Sequence, residues 1–114
     1  MWRKRWKWVE DSNDWAAFES WRQGQTPDAR VELEAGLDML LDYGPEHDCF
    51  KIDDDLYVVY ACCKRTVFWL VVGVAQPGKR LLLPLVWGTD PTSSVISAAN
   101  ANATKKLQEW RSSA

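Results

Sequence analysis

Basic side chains at two predicted turns are the residues best suited to contact a phosphate or another anion. Lys64 and Arg65 separate the first two of three apolar runs, and Lys79 and Arg80 lie where the turn after the second run meets the third. Successive turns between antiparallel strands lie at opposite ends of a sheet, so we expect the two pairs to be far apart. The second pair is expected beside the acidic run 53–55, which would neutralise it. The first pair is therefore the better candidate for a phosphate contact.

His47 is the only histidine, and imidazole is the side chain that titrates near neutrality. It precedes the first apolar run in an acidic loop, and no Ser or Cys is spaced to form a nucleophile–base pair with it. A solvated loop histidine is the favoured interpretation, and a general base is the alternative. The consecutive carboxylates at 53–55 point in alternating directions, and Cys62 and Cys63 have no C-x-x-C spacing. We therefore predict no metal site and no cofactor.

Tryptophans alternate with basic residues at the start of the chain. Trp2, Trp6 and Trp8 share one parity, and arginines and lysines occupy most positions between them. Aromatic rings beside cations can stack on nucleic-acid bases or form the centre of a protein-binding surface. The favoured alternative is that the rings face the core and the cations face water.

A capped helix and three strands are predicted to position these residues. Thr26 is a suitable N-cap, Pro27 suits the first helical position, and Gly44 ends a helix predicted over Thr26–Tyr43. One face of this helix carries leucines at helical spacing: Leu33, Leu37, Leu40 and Leu41.

Three apolar segments rich in β-branched and aromatic residues are predicted strands: Leu56–Cys63, Val67–Gln76 and Arg80–Trp87. The middle segment is apolar on both alternating faces, so it is predicted to lie inside the sheet. Pro84 cannot donate a ladder hydrogen bond, so the third strand is predicted to be an edge strand or to carry a bulge.

The flanking segments complete one domain, residues 1–114. Alternation over Arg3–Glu10 predicts a strand, Asp14–Gln23 a short helix, and the segment after Thr92 or Ser93 a C-terminal helix. The predicted fold is α+β, with a small, mostly antiparallel four-stranded sheet packed with helices in the order β-α-α-β-β-β-α.

Composition limits the classes of protein that fit. The chain has 114 residues, is 46% apolar and has a formal net charge of −2. No apolar run typical of a signal peptide follows the start, and Val67–Ala75, the longest apolar stretch, is too short to span a bilayer. Three cysteines without a secretory signal predict reduced thiols. We therefore expect a cytoplasmic protein that does not enter a membrane.

Three stretches carry a pattern seen in a known family: FESWRQGQTPDARVELEAGLDMLLDYGP, LYVVYACCKRTVFWLVV and GKRLLLPLVWG. A leucine-rich helix that ends at a glycine, three strands and a final helix follow one another from Trp15 to Trp110. This order and pattern resemble the RelE/HigB group of toxins, including the phage-derived Gp49-like branch. The resemblance implies a compact α+β toxin fold, an antitoxin partner and, as in many members, ribosome-dependent cleavage of mRNA.

The chain differs from this family where the family carries basic residues. The family's "ElR" strand corresponds to Leu56–Tyr60, its "YR" pair to Phe68 and Trp69, and its "KKT" to residues 88–90, read as Gly-Thr-Asp. Such basic side chains bind phosphate and stabilise charge in phosphoryl transfer. A pI of about 5.3 also differs from the basic footprint of RNA-binding proteins.

If the protein cleaves RNA, the remaining cations and two proton-transfer candidates would carry the reaction. The catalytic candidates are Lys64, Arg65, Tyr60 and His47. Candidates for contacts with RNA or a partner are Lys51, Lys79, Arg80, Trp2, Trp6, Trp8 and Trp87. The sequence thus leaves two hypotheses: a toxin that inhibits translation by binding or cutting mRNA, and a non-catalytic protein-binding inhibitor on the same fold, either gyrase-directed and ParE-like or phage-encoded.

Overall fold

A computed structural model of the chain describes residues 5–113, which form an α+β fold. The strands are β1 (Lys7–Trp8), β2 (Phe50–Asp53), β3 (Leu56–Cys63), β4 (Thr66–Gln76) and β5 (Leu81–Thr89). The helices are α1 (Asn13–Gln23), α2 (Pro27–Tyr43), the single-turn α3 (Pro45–Asp48) and α4 (Ser93–Ser113), and a 3-10 turn at Pro77–Lys79 joins β4 to β5.

One mixed sheet holds the strands in the order β1-β5-β4-β3-β2. β2 to β5 pair in antiparallel fashion with their neighbours, whereas β1 is parallel to β5. The prediction of an α+β fold with a mainly antiparallel sheet is confirmed, but the prediction of four strands is wrong. The additional strand, β2, lies within the segment interpreted from the sequence as an acidic loop. The sequence did not reveal it because the strand is short and its ladder is interrupted by a register shift between Lys51 and Asp53.

β4 lies at the centre of the sheet, as its two-sided apolar pattern predicts. Val71 and Val72 point to opposite faces and are both completely buried. Helices α1 and α2 cover the Val72 face, and α4 covers the Val71 face. A central strand covered on both faces explains why this stretch has no polar alternation.

Pro84 lies beside a bulge in β5. Val71 pairs with Val86 and Val72 with Pro84, so Leu85 is the extra residue of β5. The bulge predicted from the proline is therefore present. The Nζ atom of Lys106 on α4 donates to the Leu85 carbonyl oxygen at 2.8 Å, which satisfies a carbonyl beyond the short β1 pairing.

Local signals set both ends of α2. The Thr26 hydroxyl accepts a hydrogen bond from the Ala29 amide, as expected of an N-cap. At the other end the Gly44 amide donates a hydrogen bond to the Leu40 carbonyl, and Gly44 has a backbone φ of 87°. A Cβ at Gly44 would lie 2.6 Å from the indole nitrogen of Trp6, so the glycine also provides the space in which that ring packs.

The C-terminal helix packs closely because the sheet beneath it contains a glycine. The Thr92 hydroxyl accepts the Val95 amide and caps α4. Ala99, Ala103 and Leu107 form its buried face. A Cβ at Gly73 of β4 would lie 3.2 Å from a methyl group of Leu107, so the glycine allows α4 to approach the sheet.

Within residues 5–113, no helix combines the length and the apolar composition that a membrane span requires.

Candidate functional site

The basic pair Lys64–Arg65 forms the tip of the β3–β4 hairpin. Cys63 pairs with Thr66 across the turn, and Lys64 has a φ of 57°. The Asp90 amide bonds the Val67 carbonyl at 2.9 Å, so the end of β5 lies beside this turn. Both basic residues are exposed and reachable by a ligand.

Lys64 already has an acidic neighbour. Its Nζ atom lies 3.6 Å from an Asp28 carboxylate oxygen in the first turn of α2. The two side chains are 80% and 72% exposed, so the ion pair contributes little stability and a ligand can displace it. Arg65 forms no ion pair within residues 5–113, which makes it the more available cation of the turn.

Tyr60, the first proton-transfer candidate, lies on the α4 side of the sheet. Its neighbours Tyr57 and Val59 pack in the core beneath α1 and α2, and alternation places Tyr60 on the opposite face. Its ring packs edge-on against Phe50 of β2, with centroids 5.7 Å apart. Tyr60 is 37% exposed, so its hydroxyl group does not depend on a buried partner.

His47, the second proton-transfer candidate, belongs to the single-turn helix α3. Its ring stacks on Tyr43 at the end of α2, with centroids 4.9 Å apart. Because α2 covers the face opposite to α4, His47 and Tyr60 pack against elements on different sides of the sheet. The structure does not gather the four predicted catalytic residues into one constellation.

The second basic turn lies at the far end of the sheet, beside the aspartates expected there. The Val74 amide bonds the Asp55 carbonyl at 2.8 Å, and Asp55 and Lys79 line the same open cleft of about 620 Å³. The ion pair of Asp55 is nevertheless made by Arg111 of α4, at 2.8 Å. Arg111 also donates to the Val74 carbonyl, so it fastens the end of α4 to the sheet.

Lys51 and Arg80 complete the set of predicted cationic contacts. Lys51 lies in edge strand β2, and its Nζ atom is 3.8 Å from Asp54 in the following turn. Arg80 is half-buried beside the start of β5, and its carbonyl accepts the Lys7 amide. Lys51 pairs with Tyr57 near the start of β3, and Arg80 precedes the start of β5, so both lie toward the end of the sheet opposite to the Lys64–Arg65 turn.

Phe18 is completely buried, and its ring contacts four tryptophans: Trp8, Trp15, Trp21 and Trp87. Trp8 stacks on Trp15 at 5.4 Å between centroids, and Trp87 meets Phe18 edge-on at 5.3 Å. Trp6 packs against the same cluster, whereas Trp2 lies outside the described residues. The half-buried rings of Trp6, Trp8 and Trp87 support the interpretation of a core role, and their binding role stays a prediction.

Arg22 is a structural cation that the sequence interpretation overlooked. Its guanidinium donates to Glu19 at 2.6 Å and to Glu34 at 2.9 Å, so it joins α1 to α2. Burial lowers its pKa, but hydrogen bonds and charge from Glu19 and Glu34 outweigh that effect and leave the pKa raised. The i, i+3 spacing of Glu19 and Arg22 was the available signal.

Among the side chains that the structure describes, no group of three or more His, Cys, Asp or Glu is arranged to hold a metal ion. Cys62 is exposed and Cys63 is half-buried against the Phe68 side of the sheet.

Comparisons of this chain with protein-family models, with curated proteins and with solved structures find no match.

Proposed function

We propose that this protein is a RelE/HigB-like toxin component of a toxin–antitoxin pair, and that it inhibits growth by binding its target rather than by cutting RNA. The family part of the proposal is supported by the three sequence stretches quoted above and by the order of helices and strands. The implied partners are an antitoxin protein and the inhibited target.

The separation of the candidate catalytic groups carries the proposal of binding without cleavage. Cleavage of a phosphodiester needs a proton acceptor and a cation within hydrogen-bond reach of the same phosphate. Tyr60 packs on Phe50 on one side of the sheet, and His47 stacks on Tyr43 on the other. The cations of the Lys64–Arg65 turn sit at a hairpin tip, where their side chains are not held rigidly.

The charge of the molecule favours the same choice. The chain has 16 acidic and 14 basic side chains, and its net charge of −2 disfavours association with a polyanion. A protein partner imposes no such requirement.

Cleavage of mRNA on the ribosome is the second candidate. It is favoured by the exposure of Lys64 and Arg65 at a tip that a nucleic acid can reach. Both candidates predict growth inhibition, and they differ in whether transcripts are cut.

The two are separated by expressing wild type beside Lys64→Ala/Arg65→Ala in growing cells, with mRNA ends mapped on ribosomes. The matched control is Lys7→Ala/Lys105→Ala, which removes the same charge from exposed positions elsewhere. We expect wild type and both variants to arrest growth without new mRNA ends. If wild type and the control variant produce cut sites in mRNA and Lys64→Ala/Arg65→Ala does not, the protein acts by cleavage and the proposal of binding is wrong. Absence of any growth arrest would overturn the toxin proposal itself.

A further inference from the structure

The outer edge of β3 is covered by another strand over only part of its length. β2 begins at Phe50, which pairs with Val58, and it ends opposite Leu56 at the start of β3. No strand within residues 5–113 lies outside the rest of β3, residues 59–63. This stretch of the sheet edge therefore has backbone groups without a strand partner.

The pairing of the β3–β4 hairpin shows which of these backbone groups point outward. Cys63 and Thr66 flank a two-residue turn, so they form a hydrogen-bonded pair, and such pairs alternate along an antiparallel ladder. Tyr60 and Cys62 occupy the other positions, where the N–H and C=O groups point away from β4. Val58, the next residue of this parity, pairs with β2. Tyr60 and Cys62 thus each offer one donor and one acceptor to a further strand.

The other edges of the sheet carry features that discourage such pairing. β2 is short and irregular, and its exposed Lys51 and Asp53 place charges on that edge. Beyond β1, helix α1 lies against β5, and Lys106 binds the Leu85 carbonyl. Residues 59–63, by contrast, read Val-Tyr-Ala-Cys-Cys and contain neither a charge nor a proline. Uncharged edges of this kind are the places where a further strand adds.

Apolar surface flanks this edge on both sides of the sheet. On the α2 side, a crevice of about 10 Å³ between helix and sheet has Gly36, Val59 and Ala61 in its lining, which is space for one small group. A Cβ at Gly36 would meet no atom within 4 Å. On the α4 side, the paired rings of Phe50 and Tyr60 are 63% and 37% exposed. Side chains on either face of an added strand would therefore meet apolar groups.

We propose that residues 59–63 of β3 bind an extended segment of a partner protein, which lengthens the sheet by one strand. The outward N–H and C=O groups of Tyr60 and Cys62 pair with the backbone of that segment. Its side chains alternate between the α2 crevice and the ring of Tyr60. An acidic residue at the end of the segment meets Arg65 at the hairpin tip, which has no ion pair within residues 5–113.

The unpaired backbone selects an extended segment as the occupant. Donors and acceptors that alternate along a straight edge match another strand, whereas a helix has already paired its own backbone groups.

A second copy of the chain does not fit this edge. A symmetric dimer joined through two β3 edges would hold the β3 strands about 4.8 Å apart, with both α2 helices on the same face. Among the strands, α2 contacts chiefly β3. The two helices would therefore lie closer than the separation of about 8–10 Å that packed helices require.

This binding edge goes beyond the proposed function, since it requires no growth inhibition. Strand binding and growth arrest are independent readouts, and either one can fail while the other succeeds.

The test is an NMR titration of the whole isotope-labelled protein, under reducing conditions, with a synthetic peptide of about seven residues. The peptide has valine and threonine in its centre and aspartate at both ends. The control probe has the same side chains but is N-methylated along its central backbone, which removes its hydrogen-bond donors. We expect the first peptide to shift the amide resonances of Tyr60 and Cys62 and to slow their hydrogen exchange, and the N-methylated peptide to do neither.

Two substitutions at one position form a matched pair of variants. Cys62→Pro removes an outward N–H group without removing a β3–β4 hydrogen bond, whereas Cys62→Ala keeps that group. We expect the proline variant to bind the peptide at least about tenfold more weakly than wild type, and the alanine variant to bind as wild type does. Circular dichroism checks that both variants fold. The two peptides still decide the question on wild type if the proline variant does not fold.

Unchanged amide resonances of Tyr60 and Cys62 at millimolar peptide would overturn the proposal, as would equal binding of the N-methylated peptide. A wild-type dimer in sedimentation that Cys62→Pro dissociates would also overturn it, because a second copy would then be the occupant.

Discussion

Gly36 lies in the middle of α2 at a position where a methyl group would meet no atom within 4 Å. Glycine inside a helix costs backbone entropy that alanine does not. We therefore expect Gly36→Ala to raise the free energy of unfolding by about 0.5–1 kcal/mol, measured by urea denaturation. A lower free energy of unfolding for Gly36→Ala would show that a neighbouring side chain moves into the space beside Gly36, where the added methyl group blocks it.

Tyr57 provides a pH-dependent contribution to stability. Burial and then the nearby Glu46 carboxylate raise the pKa of its phenol above the ordinary value of 10. The folded protein thus holds this proton more tightly than the unfolded chain does. The contribution is fully present below pH 10 and is lost as the pH rises through the folded-state pKa.

The corresponding prediction compares wild type with Tyr57→Phe in urea at neutral pH and above about pH 10. Wild type should lose more stability over this interval than the phenylalanine variant, which has no phenolic proton to release. Glu46→Gln should reduce the difference, because it removes the second cause of the shift. Parallel losses in all three proteins would contradict the assigned role of Tyr57.

At the scale of elements, the contact between α4 and the sheet depends on Gly73. A Cβ there would lie 2.8 Å from one methyl of Leu85 and 3.2 Å from one of Leu107, both buried. Gly73→Ala should therefore force α4 away from β4 and cost about 1–3 kcal/mol as an overpacked core substitution. Gly36→Ala is the matched comparison, since the same chemical change is expected there to stabilise. A Gly73→Ala protein as stable as wild type would mean that α4 packs more loosely than these distances indicate.

Polar side chains fasten the same helix at two places. Lys106 reaches both Asp14 of α1 and the Leu85 carbonyl, and Arg111 bonds Asp55 and the Val74 carbonyl. These contacts compensate for the small alanines at the centre of the helix face. The buried apolar face of α4 is therefore only part of what holds the helix on the sheet.

At the scale of the whole molecule, the apolar cores on the two faces of the sheet share one central strand. Val71 belongs to the core beneath α4, and Val72 belongs to the core beneath α1 and α2. Loss of β4 from either core exposes both, so the domain is expected to unfold as a single cooperative unit.

Tryptophan fluorescence and circular dichroism test this expectation in urea. Most tryptophans lie on the α1–α2 side, including Trp8, Trp15 and Trp87, whereas Trp69 and Trp110 lie on the α4 side. The two signals should give coincident transitions, and Gly73→Ala should shift both midpoints equally. Separate transitions would show that the α4 layer opens without the other core.

The sequence correctly predicted the features that depend on residues close to one another along the chain. The N-cap at Thr26, the stop at Gly44 and the leucine face of α2 involve atoms a few residues apart, so the sequence specifies them directly. The interior position of β4 also followed, because a strand without polar alternation must be covered on both faces. Strand β2 was missed, since four residues with a register shift present no clear period.

Positions in space required the tertiary structure. Sequence patterns nominated Lys64, Tyr60 and His47, but only the fold shows that Tyr60 and His47 pack on different sides of the sheet. The ion pair of Arg111 with Asp55, 56 residues away, depends on how α4 crosses the sheet. Such contacts arise from the pairing and packing of distant segments, whose geometry no local pattern encodes. The sequence by itself thus determined most of the elements and the chemical groups available, and tertiary packing decided which groups meet.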